Sequence, residues 1–156
     1  MKRSILLGLG LLLVSAPNAM ASHYDLPDID LVPAAVVQSL SQNQIETTED
    51  LLALLLKRAD RAEFAKKYQM PADAVDVLAH KLEFMQIVGV GPKAAQLLWL
   101  AEVKNVAALS AAKPEDLLDS LLRINREKSI TGVQPDLTVV RDWIEKSKKV
   151  TNHLEE

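Results

Sequence analysis

Apolar residues recur along most of this chain at three- and four-residue intervals, the spacing of one helix face. Val75, Leu78, Ala79, Leu82 and Met85 form the longest such stripe and predict a helix over about 72–86. Val36, Val37 and Leu40 predict a short helix ending before residue 41. Leu51, Leu52, Leu55 and Leu56 predict another, and Leu117, Leu118, Leu121 and Leu122 repeat its pattern. Val139, Val140, Trp143 and Ile144 place a last helix at about 135–149. Helix-start chemistry agrees with these positions. Thr47 or Thr48 is a cap ahead of Glu49 and Asp50. Pro71, Pro92, Pro114 and Pro135 each stand where a first helical residue belongs, because the missing N–H is not needed there and φ is already set. Acidic residues in a first turn complement the helix dipole. Glu49-Asp50 and Glu115-Asp116 therefore read as helix starts rather than as acid–base pairs. Only Gly89, Gly91 and Gly132 follow residue 21, too few for a set of tight strand hairpins. The fold class is all-α, a compact multi-helix domain.

The first residues follow a different pattern. Lys2 and Arg3 precede an apolar run from Ile5 to Val14, and Ala19-Met20-Ala21 supplies small residues after it. This is the order of a secretory signal peptide, with cleavage expected after Ala21. The run is too short to span about 30 Å of hydrocarbon, which takes roughly 20 residues, so a retained anchor is the poorer reading. The expected organisation is a signal peptide at 1–21, an extended and mobile mature N-terminus at 22–28 containing Tyr24 and Pro27, a helical domain at 29–149, and a tail at 150–156. The mature protein is expected to be periplasmic or secreted, with no membrane span.

Within the domain the chain echoes itself. Ile29, Val32, Leu40, Ile45, Thr48 and Leu51 return 58 residues later as Ile87, Val90, Leu98, Val103, Val106 and Leu109, and Gln38 returns as Gln96. The spacing then slips, so that Glu49-Asp50-Leu51-Leu52 becomes Glu115-Asp116-Leu117-Leu118. The echo reads as a duplication rather than a coincidence of helical patterns. One such unit is too short to bury its own apolar faces, so the halves are expected to pack together.

One stretch carries chemistry. After Phe84-Met85-Gln86 the chain reads Ile87-Val88-Gly89-Val90-Gly91-Pro92-Lys93-Ala94-Ala95. Two glycines permit positive φ, Val90 between them points into a core, and a new helix starts at once. The first amides of that helix point outward at the positive end of its dipole, with Lys93 beside them. The segment resembles a helix-hairpin-helix motif. Ile87, Gly89, Val90, Gly91, Ala95 and Leu98 match its pattern, and Lys93 occupies a position that is often basic. That family commonly binds the DNA backbone without sequence preference. The wider chain, about 26–149, is similar to the family catalogued as domain of unknown function 4332. The likeness runs through Ile45–Leu52, Glu102–Leu109, Lys113–Leu117, Asn125 and Trp143-Ile144. The resemblance implies tandem helix-hairpin-helix units in one helical domain and brings no activity with it. In the first unit Leu31 and Pro33 stand where Gly89 and Gly91 stand in the second. Neither suits positive φ and Pro33 has no N–H, so the first hairpin is degenerate and structural.

Composition narrows the functions. Six aromatic residues in 156 are too few for stacking platforms that read single-stranded nucleic acid. With no cysteine there is no disulfide, thiolate metal site or cysteine nucleophile. Losing Lys2 and Arg3 with the leader takes the net charge from −3 to −5, and residues 22–92 hold 6 basic against 11 acidic side chains. His23, His80 and His153 are isolated, and no H-E-x-x-H, G-x-S-x-G or phosphate-loop pattern occurs. His80 reads as a boundary residue. Lys57-Arg58 with Arg61, and Lys66-Lys67, read as a solvated face. Lys146, Lys148 and Lys149 lie near a helix C-terminus, where cations are favourable. Trp99 and Trp143 read as core or interface anchors.

The expectation is a non-enzymatic exported helical module that binds or scaffolds another protein, with no cofactor and no metal. The alternative is weak, sequence-nonspecific DNA-backbone binding through Gly89, Val90, Gly91 and Lys93, supported by Lys104. Against it, Lys93 and Lys104 face Glu102 near the turn, and each neutralised phosphate usually takes its own Lys or Arg.

Overall fold

Eight α-helices run through the residues described by the computed structural model, 23–151 and 153–155. They are α1 (Ala34–Ser41), α2 (Thr48–Leu55), α3 (Arg58–Tyr68), α4 (Ala72–Met85), α5 (Pro92–Leu100), α6 (Val106–Ser110), α7 (Pro114–Lys128) and α8 (Leu137–Ser147). No strand occurs among the described residues beyond an isolated bridge between Asp25 and Thr47. The expected signal peptide lies outside them.

The 58-residue echo is visible in the backbone. α1 and α5 start 58 residues apart, as do α2 and α6. Gln44 and Glu102, also 58 apart, both take left-handed φ, at 62° and 64°. Beside them the Ile45 amide donates to the Leu40 carbonyl and Val103 to Leu98. Thr47 caps α2 by accepting from the Asp50 amide, and Asn105 caps α6 by accepting from Ala108. At Thr47 the cap is reciprocal, because the Asp50 carboxylate also accepts from the Thr47 amide. α3 and α7 both end in a left-handed residue, Gln69 and Ser129.

Two apolar cores follow from the two halves. The first gathers Leu26, Val37, Leu40, Leu51, Leu55, Phe64, Val75, Leu78 and Leu82. The second gathers Phe84, Met85, Ile87, Val90, Leu98, Leu109, Leu121, Val140 and Trp143. α4 serves both, its first three turns entering one core and Phe84 and Met85 the other. It packs on α2, α3 and α5, while α8 closes the second half against α6 and α7.

Several details depart from the sequence reading. Pro92 and Pro114 do open α5 and α7, but Pro71 is the N-cap of α4, and Pro135 lies ahead of Asp136, which caps α8 by accepting from the Val139 amide. A side-chain acceptor satisfies an orphan donor, which proline cannot do, so Asp136 sets the start. Arg61 is not on a solvated face. It is 7% exposed, reaches Asp76 Oδ1 at 2.7 Å, and donates to the carbonyls of Leu55 and Leu56 that end α2. The segment around Tyr24 is not loose. Thr48 donates to the Tyr24 carbonyl, Leu26 donates to Glu46, and Leu26 is fully buried in a short 3-10 turn, Leu26–Asp28. The C-terminal residues also fold back. Leu154 is buried in the first core, and Glu155 lies against α2 and α3.

Candidate binding site

The turn between α4 and α5 is built by a chain of local constraints. α4 ends with Gln86 and Ile87 donating to Glu83 and Phe84, and Val90 donates back to Ile87 at 2.8 Å. That last bond drives Val90 into the core, where it is fully buried. Gly89 has φ +95°, a conformation side chains rarely adopt. Gly91 is extended, with φ −87° and ψ −177°, so conformation does not require glycine there. Space favours it, since a Cβ would lie 2.9 Å from Tyr24 Oη, the far end of a side chain that would have to shift. Only one of the two glycines therefore answers the expectation of positive φ. The equivalent Leu31 is not left-handed, and Pro33 simply caps α1.

Among the described residues no acceptor serves the amides of Gly91, Lys93 and Ala94, the first donors of α5. Lys93 is exposed and makes no ion pair there. The other cations are committed elsewhere. Lys146 donates to the Val88 carbonyl at 3.3 Å and to Asp142 at 2.6 Å. Lys104 is not a supporting residue of the turn. It sits past the opposite end of α5, paired with Glu102 at 2.8 Å, 4.3 Å from the Trp99 ring centroid and donating to the Trp99 carbonyl. The helix separates it from Gly91 because the chain must run the length of α5 before reaching it. Among the described residues the turn thus has Lys93 as an uncommitted cation, with Lys146 beside it already engaged by Val88 and Asp142.

Beside the turn lies a groove of about 580 Å³ between α2, the end of α4 and the end of α8. Leu52, Leu56, Leu82, Met85 and Ile87 give it an apolar floor. His23 and Glu49, 3.2 Å apart, stand on one rim and Lys149 on another. Val150 and Thr151 form part of its wall. Single-helix periodicity carried no sign of the groove, because four separate segments make it.

Glu83, on α4, is a second feature beside the turn. It is 3% exposed. Its Oε1 lies 3.4 Å from the Leu154 amide and 3.3 Å from His153 Nδ1. Its Oε2 faces His80 Nδ1 at 3.7 Å, and neither atom has another partner. At that separation the contact is electrostatic rather than a hydrogen bond. His80 stacks on Trp99, with centroids 5.5 Å apart. Burial pushes the Glu83 carboxyl up, but His80, the Leu154 amide and His153 outweigh it and hold the group below the usual glutamate value. The signal in the sequence was its place, one turn past Ala79 and between Leu82 and Phe84. The two imidazoles address different oxygens of the carboxylate. Among the described residues no three His, Asp or Glu side chains are grouped to hold a metal ion, and no helix is long and apolar enough to cross a membrane.

The family described as domain of unknown function (DUF4332) matches residues 32–150. No curated protein and no solved structure matches the chain.

Proposed function

This chain belongs to the DUF4332 family, and from that premise we propose that it is a non-enzymatic exported module of two helix-hairpin-helix units that docks another protein in the groove beside the second hairpin. The observation that carries this reading is the groove itself. It combines a contiguous apolar floor with a polar rim, the composition of a protein-binding cleft. The leader at 1–21 supports export to the periplasm, with Ser22 as the mature N-terminus.

Site-specific photo-crosslinking in cells that make the protein tests it. Probes at Ala53 and Thr151, both on the groove, are expected to trap one discrete adduct, and a probe at the exposed Val133, which does not line it, is not. Equal labelling from all three positions, or none, removes the reading. Sequencing the N-terminus of the exported form checks the cleavage site.

The open amides of Gly91, Lys93 and Ala94 favour a second reading, weak binding to the DNA backbone. One uncommitted lysine limits it, since each phosphate contact normally takes its own cation. Titration against duplex DNA at low salt is expected to show little binding, and any that appears is expected to vanish in Lys93→Glu.

A further inference from the structure

We propose that ionised Glu83 is an acid-sensitive clasp, holding the C-terminal residues across the first half of the molecule and so setting one wall of the groove. Only the consequence for docking rests on the function proposed above. The clasp stands on its own geometry.

The tail leaves α8 after Ser147, passes Val150 and Thr151 on the groove wall, and ends against α2, α3 and α4. Three groups anchor it there. The Leu154 side chain is buried in the first core. Glu155 donates its amide to the Leu56 carbonyl at 2.9 Å, while its carbonyl accepts from Arg61 Nη2 at 2.6 Å. Its carboxylate also accepts from the Arg58 amide at 3.0 Å, supplying the cap that α3 lacks. The third anchor is Glu83, whose Oε1 receives the Leu154 amide and faces His153.

The anchors differ in how they respond to protons. The exposed Glu155 carboxylate is an acid as well, but it caps α3 at the Arg58 amide and does not touch Leu154; Arg61 stays charged at any accessible pH, and a backbone pair does not titrate. Glu83 does. Ionised, it offers two acceptor oxygens, one to the tail and one towards His80. Protonated, it turns an acceptor into a donor and loses the charge that both imidazoles face. A buried carboxylate is an expensive way to hold a tail if constancy is all that is required, because a neutral side chain there would bind alike at every pH.

The charged surroundings are few. His80 and Lys81 share the helix. Asp76, two turns earlier, is taken by Arg61 of α3. Lys104, paired with Glu102, lies over Trp99, which stacks on His80. His153 and Glu155 come from the tail. The carboxyl itself is held below its usual value of 4.5, so the charge contribution is complete above about pH 4.5 and is lost as pH falls through the lower folded value.

Amide exchange across pH 7 to 3.5 on the whole mature chain, followed by NMR, tests the clasp. The Leu154 protection factor is expected to fall at least about tenfold at the acid end, while core amides such as Leu82 hold theirs. Glu83→Gln keeps the acceptor but not the charge, and is expected to flatten that response. Should the variant not fold, the wild-type Glu83 carboxyl resonance serves instead, its midpoint expected to coincide with that of the Leu154 amide shift. Tail protection that tracks the core at every pH, an unchanged profile in Glu83→Gln, or separated midpoints would overturn the clasp. A responsive tail with no groove crosslink would count against docking alone. A groove crosslink with an unresponsive tail would count against the clasp alone.

Discussion

Gly89 and Gly91 sit two residues apart and are glycine for different physical reasons. Gly89 is left-handed, and an added Cβ would meet Trp143 Nε1 at 3.3 Å. Gly89→Ala therefore meets backbone strain that no neighbour can relieve, and a loss of about 1–2 kcal/mol is expected in urea unfolding. At Gly91 the conformation is open to any residue and the obstacle is Tyr24 Oη, the far end of a side chain. Gly91→Ala is expected to lose less, and Tyr24→Phe, which removes the obstructing atom, is expected to recover part of that loss. A double-mutant cycle measures the coupling; additive effects would show that Tyr24 is not the obstacle. The sequence showed two glycines in a turn and assigned both to positive φ. It was right for one, because the other answers to a residue 67 positions away.

At the scale of the element, legibility followed chemistry that is local in sequence. α2 and α4 were found from apolar spacing, and the cap was narrowed to Thr47 or Thr48 from its place before Glu49 and Asp50; the structure makes it Thr47. Thr47→Ala removes one cap bond and is expected to lower stability by about 1 kcal/mol in thermal or urea unfolding. The Thr47 hydroxyl is also the leading cause that holds Asp50 below its usual value, ahead of the Thr47 and Glu46 amides. Asp50 should therefore titrate higher in that variant, measurable from its carboxyl resonance. A lowered carboxyl stabilises the fold above its unfolded value and loses that contribution as pH falls through the folded one, so the variant should be the less acid-sensitive. α3 was not read at all. Its apolar residues are mostly alanine, and its buried side chain at position 61 is an arginine. Its N-terminus is capped by Glu155, 97 residues away, which no local pattern carries.

The whole molecule is held together by an exchange of ends. Tyr24, before the first half, packs against the core of the second. Leu154, after the second half, is buried in the core of the first. α4 contributes to both, and the duplication legible at 58-residue spacing gave no hint of this sharing, because it lies in segments outside the echo. Cutting the chain at the turn after Val90 would leave each half without a terminus it needs. Residues 23–90 would keep α4 while Phe84, Met85 and Ile87 lost the partners they have on α5, α6 and α8. Residues 91–155 would keep those partners while Leu154 lost its seat. Pieces of this length are marginal as single cores, because ordering the backbone costs about 1–2 kcal/mol per residue. Each piece alone is expected to show no cooperative melt by circular dichroism, whereas an equimolar mixture is expected to regain one. A sharp transition from 23–90 alone, near that of the intact chain, would mean that the first half is a domain in its own right and the crossed ends only decoration.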